Sequence, residues 1–232
     1  MAEAARKVNW FAIWVTAGVV VALVLVTVLV VTLNNSAAPK PLPTDGSAPS
    51  ASNIDAETGA ILVGDGEDRL DTYVDFMCPI CNQFEQLYGA EIESLVDDGT
   101  ITLGIHPISI LDSQSQGTQF STRAANAAYC VATEDAETSL PFLQAMFANQ
   151  PQEGTRGLTN SEILEIAAGV GVTGIDSCVN DGIYAGYVTA ITAETPVQPG
   201  SQGIGTPTVA VNGEVIANSQ LPEPGQLATL FE

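Results

Sequence analysis

Acidic residues dominate this chain of 232 residues, which holds 27 Asp and Glu against six Lys and Arg and one His. From residue 41 onward the only Lys or Arg residues are Arg69, Arg123 and Arg156, against 26 acidic residues. No basic stripe can be built to neutralise phosphates, which excludes nucleic acid and disfavours anionic lipid headgroups as partners. The apolar share of 46%, with 21 Gly and 13 Pro, excludes collagen, coiled coil and wholesale disorder.

The first element in chain order is an apolar run, Trp10 to Leu33, inside a stretch from Val8 to Pro39 that carries no charge. As a helix it spans about 36 Å, more than the ~30 Å hydrocarbon core of a bilayer, and it is longer than the apolar core of a cleaved signal peptide. The small residues Ser36, Ala37 and Ala38 keep cleavage open as the alternative. Arg6 and Lys7 precede the run, so the positive-inside rule makes residues 1–9 a cytoplasmic tail, 10–33 a single-pass membrane anchor, and the rest extracytoplasmic. Trp10 and Trp14, the two Trp of the chain, fall at its inner edge, where indole prefers the interface. Residues 34–58 are rich in Pro, Ser, Ala and Asp without apolar periodicity and read as a flexible tether.

Beyond the tether, Gly59–Val63 and Leu70–Phe76 read as strands, split by the turn residues Gly64, Asp65 and Gly66. Ile80, Phe84, Leu87, Tyr88, Ile92, Leu95 and Val96 keep helical spacing, with Pro79 at a first helical position and Asp97, Asp98 and Gly99 ending the run. Thr100–Ile105 is a third strand, so the order is βαβ and a parallel pair follows. Helical periodicity then holds over Thr118–Thr133, Ser139–Asn149, Ser161–Gly169 and Ser177–Thr192, with Ser161 a cap candidate ahead of Glu162. Strands return at Pro207–Val211 and Glu214–Ala217 around Asn212 and Gly213, a hairpin signal, and Pro224–Phe231 suits a short last helix.

Cys78, Pro79, Ile80 and Cys81 place a CxxC at a strand-to-helix junction. The unpaired N–H groups and the dipole of a helix start favour an anion, which makes Cys78 the nucleophilic thiolate, and Cys81 lies one turn on, within disulfide reach. A zinc site would need a second ligand pair; Cys130, Cys178 and His106 stand singly in sequence, so no metal or other cofactor is expected. An inert structural disulfide is the other alternative. Cys130 and Cys178, 48 positions apart, are expected to pair in an exported domain, with a second redox centre as the competing reading. His106, at a strand end before Pro107, reads as a structural histidine, with a catalytic one as the alternative.

The run Asp75, Phe76, Met77, Cys78, Pro79, Ile80, Cys81 resembles the active-site motif of the DsbA-like branch of the thioredoxin superfamily, membrane-anchored bacterial type. Gly205, Thr206, Pro207, Thr208 resembles its cis-proline loop, and the likeness extends over roughly residues 59–232. The resemblance implies an α/β thioredoxin-like fold with a helical insertion at about 113–195. It implies a thiol-disulfide oxidoreductase in which Cys78 exchanges, Cys81 resolves, and Thr206 and Pro207 receive an extended substrate segment as an added strand. Implied partners are newly exported cysteine-containing proteins and a membrane redox partner, either DsbB-like or a quinone-linked vitamin K epoxide reductase homologue. A monomer is expected, since no dimerisation domain precedes the catalytic one; a reductase or isomerase and a non-catalytic binding module are the competing functions. Two departures stand out. Ile80 occupies the place where strongly oxidising members often carry His and cannot donate to the Cys78 thiolate, and Thr72 stands where relatives often keep a buried acid. Neither Asp71 nor Asp75 can be assigned an inward direction from strand alternation.

Overall fold

The computed structural model describes residues 10–36 and 46–231. The tail 1–9 and residues 37–45 of the expected tether lie outside the described residues. The chain forms two units, residues 1–40 and 41–232.

The first unit holds α1 (Trp10–Ser36), a 27-residue helix. Its apolar side chains are exposed along the described length, including Trp10, Trp14, Leu23, Leu25 and Leu29. Among the described residues no helix is long and apolar enough to cross a membrane.

In the second unit five strands, β1 (Ile61–Val63), β2 (Asp68–Val74), β3 (Ile101–Pro107), β4 (Thr208–Val211) and β5 (Glu214–Ile216), form one sheet in the order β1-β3-β2-β4-β5. Only the β2–β3 pair is parallel, as a βαβ unit demands; α2 (Pro79–Asp97) makes the crossover. β4 and β5 turn at Asn212 (φ 50°) and Gly213 (φ 84°), two successive positive-φ residues that match the twist of a tight hairpin. Between β3 and β4 lie α3 (Phe120–Glu134), α4 (Ser139–Ala148), α5 (Asn160–Gly169), α6 (Asp176–Asp181) and α7 (Ala185–Ala193). The result is an α/β thioredoxin-like architecture with inserted helices. The core joins both parts: Phe76, Phe120, Tyr129, Phe142, Met146 and Leu103 are fully buried together.

Three expectations need correction. The helix expected over Ser177–Thr192 is two helices, because Gly182 adopts φ 66° and ends α6 in a left-handed cap. The cap of α5 is Thr159 and not Ser161: Thr159 Oγ1 accepts the Glu162 N–H while the Glu162 carboxylate accepts from the Thr159 N–H at 2.7 Å, a complete capping box. The last segment is a short helix as expected, of 3-10 type and confined to Leu227–Phe231. The described end of the supposed tether is also part of the folded unit. Pro49 and Ile54 are buried, Ile54 bridges to Ile61, Leu62 N–H donates to Asn53 at 2.7 Å, and Asp55 pairs with Arg69. Backbone pairing and one ion pair fix this segment where apolar periodicity gave no sign.

Candidate active site

β2 ends at Val74, and the next four residues turn into α2. The Asp75 side chain organises this turn. Fully buried, it accepts from the Met77 N–H at 2.9 Å, from the Leu111 N–H at 2.9 Å and from Ser121 Oγ at 2.7 Å, while its own carbonyl accepts the Cys78 N–H. It thereby ties the CxxC turn to the loop after β3 and to α3. Burial pushes its carboxyl up to about 6, against the pull of the three donors. Gln150, just beyond α4, clamps the same turn from the other side. Its Nε2 donates to the carbonyls of Phe76 (3.0 Å) and Cys78 (2.9 Å), and its Oε1 accepts from Asn82 (3.1 Å). Neither residue was assigned a role in the sequence reading. For Asp75 strand alternation was silent, and Gln150 is a polar loop residue with no local signal.

Cys78 is the N-cap residue of α2 and Pro79 its first residue, so the missing proline N–H costs no helical bond. Both thiols are free and buried. The hydrogen bond from the Cys81 thiol holds the Cys78 thiol down at about 6; burial opposes it, and the Thr206 hydroxyl and the N–H groups of Cys81 and Ile80 add to it. Cys81 is pushed well above its ordinary value, first by burial and then by the neighbouring Cys78. The two sulfurs therefore differ in character: a low-pKa thiol at the helix start and a fully covered, high-pKa thiol behind it. Cys78 Sγ lies 3.6 Å from the Thr206 carbonyl oxygen, and the Thr206–Pro207 peptide is cis. Cys78, Cys81, Thr206 and Pro207 thus form one site. Exposed apolar residues flank it in the sequence, Ile80 (54% exposed) between the two cysteines and Ile204 (37%) two residues before Thr206.

Cys130 and Cys178 lie elsewhere and form a disulfide joining α3 to α6, with Cα atoms 6.0 Å apart. His106 is not in the site. It stacks on Tyr73 with ring centroids 4.0 Å apart, and its Nε2 meets Asp71 Oδ1 at 2.8 Å; Arg69 holds the other side of Asp71. Burial pushes the Asp71 carboxyl up, but the hydrogen bonds from His106 and Arg69 outweigh it and hold it below the usual range. Among the described residues no three His, Cys, Asp or Glu are placed to hold a metal ion.

The family model described as Thioredoxin matches residues 60–227. A curated relative, the serine/threonine-protein kinase PknE of Mycobacterium tuberculosis, is 33% identical over 169 residues, 70% of this chain. The match spans only 29% of that relative's length. Among solved structures, the reduced form of the disulfide bond oxidoreductase DsbG from Mycobacterium tuberculosis is 31% identical, with a TM-score of 0.62 over 78% of this chain and 83% of that one. The reduced DsbA of the same organism is 33% identical, with a TM-score of 0.58 over 72% and 82%. A CxxC at a helix start just after a strand, a facing Thr206–Pro207 loop and these likenesses agree, and the chain belongs to the thioredoxin family, within the fold of its thiol-disulfide oxidoreductases.

Proposed function

We propose that this protein is a membrane-tethered, extracytoplasmic thiol oxidase that introduces disulfides into exported proteins through the Cys78–Cys81 pair. The observation that carries the reading is the Cys78 thiol held at about 6 at the N-cap of α2, facing the Thr206 carbonyl with Cys81 covered behind it. A substrate thiolate attacks Cys78 Sγ of the oxidised pair, the Cys78–Cys81 bond breaks, and Cys81 leaves as a thiolate that is then protonated. The substrate's second thiolate attacks its own sulfur in the mixed disulfide, and Cys78 leaves as the thiolate. The substrate is oxidised and the pair reduced by two electrons, which a membrane partner, DsbB-like or a quinone-linked vitamin K epoxide reductase homologue, removes. A thiolate leaving group of low basicity favours this direction over reduction or isomerisation.

Membrane tethering is supported by α1, whose exposed apolar side chains are unsuited to water, and by Arg6 and Lys7 ahead of it. The substrate segment would lie along the Thr206–Pro207 loop, beside the exposed Ile80 and Ile204, and the protein would act as a monomer.

The test is oxidation of a reduced, unfolded protein by the full chain in detergent. Wild type restores the test protein's activity and Cys78→Ser abolishes this; full activity in Cys78→Ser would sink the assignment. Alkylation gives a second check. Cys78 should react with a midpoint near pH 6, about three units below an ordinary thiol, and a midpoint near 9 would leave only an inert binding module.

Position 80 tunes the potential. Ile80→His should raise it by about 30 to 60 mV, because one charge-assisted hydrogen bond to the Cys78 thiolate contributes roughly 1.5–3 kcal/mol to the reduced form. Equilibration with glutathione buffers, read by alkylation and mass, checks this. An unchanged potential with an unmoved Cys78 midpoint would mean that position 80 does not reach the sulfur.

A further inference from the structure

Pro79 has no N–H, so the Cys78–Pro79 peptide keeps one polar handle, the Cys78 carbonyl. That peptide stands at the head of α2, immediately before the Ile80 and Cys81 N–H groups that act on the Cys78 sulfur. Its plane is fixed by whatever grips the carbonyl. The Asn82 N–H does so at 3.2 Å, as the first bond of the helix. A second donor comes from outside α2.

That donor is Gln150. It stands half-buried two residues past the end of α4 and directly before Pro151, which disfavours continuation of the helix there. Its Nε2 donates to the Cys78 carbonyl at 2.9 Å and to the Phe76 carbonyl at 3.0 Å, so both amide hydrogens are used. Phe76 is buried in the turn between β2 and α2, where neither a strand ladder nor a helix supplies a donor.

The amide of Gln150 is itself held. Its Oε1 accepts from Asn82 Nδ2 at 3.1 Å, and Asn82 Oδ1 accepts from Gln86 Nε2 at 3.0 Å, one turn further along α2. Three side-chain amides thus run in series, Gln86 to Asn82 to Gln150, each donating toward the CxxC turn. The two carbonyls at the end of the chain fix the sense of all three, because a carbonyl accepts and must be faced by an amide NH2. Dipoles aligned in this way strengthen one another, and their positive end meets the same turn as the positive end of α2. From the other side Asp75 holds the turn, taking the Met77 N–H on its carboxylate and the Cys78 N–H on its carbonyl. Asp75 grips donors, and Gln150 grips acceptors. Besides burial, the largest influences on the Cys78 thiol are neutral hydrogen-bonding groups of Cys81, Thr206 and Ile80, so the aim of those groups matters more than any nearby charge.

We propose that Gln150 is a positioning residue for the Cys78 thiolate: at the head of a chain of three side-chain amides, it fixes the Cys78–Pro79 peptide so that the N–H groups of the helix start stay aimed at the sulfur. This rests on the oxidoreductase reading above and extends it to a residue of the helical insertion. The insertion thereby takes part in setting the redox poise of the pair. Stabilising the thiolate stabilises the reduced form, so slackening the clamp makes the pair a weaker oxidant.

The test compares wild type with three variants, each as the full chain in detergent. Gln150→Met keeps the length of the side chain and removes both donors; Asn82→Ala removes the second link and leaves the backbone N–H of residue 82 in place; the third combines the two. Cys78 alkylation against pH gives the midpoint, and equilibration with glutathione at pH 8, read by mass, gives the potential. Gln150→Met should raise the midpoint from about 6 by roughly one unit, a tenfold loss of thiolate stabilisation of the size that one lost hydrogen bond produces. At pH 8, where wild type and variant are both mostly thiolate, the same tenfold lowers the potential by about 30 mV. Asn82→Ala should move both readings the same way by less, and the double variant no further than Gln150→Met alone, because the amides act in series. A residue that merely filled space would lower stability and leave midpoint and potential where they are. An unmoved midpoint in a folded Gln150→Met variant overturns the proposal, and so does a double variant whose shift is the sum of the two. If Gln150→Met does not fold, Asn82→Ala decides: a raised midpoint supports the chain, and an unmoved one overturns it. A wild-type midpoint near 9 is a different failure, since it removes the oxidoreductase reading and the clamp with it.

Discussion

Replacing Cys130 and Cys178 together by Ala is expected to lower the unfolding free energy by about 4 kcal/mol and the melting temperature by roughly 8–16 °C. The cross-link closes a loop of 48 residues between α3 and α6, which removes that much chain entropy from the unfolded state in the loop-closure model. The same two helices are also tied by Asn126, which donates to the Cys178 carbonyl at 3.3 Å and accepts the Tyr184 N–H at 2.7 Å. The variant should therefore remain folded at room temperature with the Cys78 midpoint unmoved. Mass mapping in graded reductant should find the Cys78–Cys81 bond opening first, since Cys78 is a leaving thiolate of low pKa. A double variant as stable as wild type would show that the bridge contributes nothing to the fold. Simultaneous opening of both pairs would support the competing idea of a second redox centre.

What the sequence made legible follows from where local physics suffices. A CxxC between a strand pattern and a helical pattern needs only the period change and Pro79 to be placed, and the helix face Phe84, Tyr88, Ile92 and Leu95 is buried as its spacing requires. Asn212 and Gly213 demanded positive φ and adopt it. The missed boundaries were of two kinds. The Thr159 cap was readable, since Thr three residues before Glu162 is the capping-box spacing, whereas Ser161 stands directly before it and cannot make the reciprocal bond. The break at Gly182 required weighing one glycine against the apolar periodicity of its neighbours, and glycine's tolerance of left-handed backbone decided it.

The site was legible in its sulfurs and not in its supports. Cys78, Cys81 and the Thr206–Pro207 loop are distant in sequence, and a resemblance brought them together on paper; Gln150 and Ser121 carry no motif that could do so. His106 lacked a visible partner because Asp71 is 35 positions away and meets it only through the β2–β3 register, which sets Tyr73 opposite His106.

Replacing Asp75 by Asn should destabilise the protein by about 2–4 kcal/mol although the shape is kept. The carboxylate offers acceptors to three donors, Met77 N–H and Ser121 Oγ on Oδ1 and Leu111 N–H on Oδ2. An amide keeps one acceptor oxygen, so its Nδ2 must face the Leu111 N–H donor to donor, and each buried donor left unmade costs about 1–3 kcal/mol. The pH dependence distinguishes this from a packing defect. Burial raises the Asp75 carboxyl from 3.8 to about 6, so the folded state binds this proton more tightly than the unfolded chain does. Its contribution is therefore full below about pH 4 and is lost as pH rises through about 6, on the order of 3 kcal/mol in all. The Asn variant has no such proton. Urea unfolding at acidic and neutral pH should find the gap between wild type and Asp75→Asn widest on the acid side and narrower at neutrality. Because the Asp75 carbonyl also accepts the Cys78 N–H, loosening this turn should move the Cys78 alkylation midpoint away from 6 in the same variant. A gap that narrows on the acid side instead would mean that the Asp75 carboxyl stays ionised in the folded state, held by its three donors against its burial.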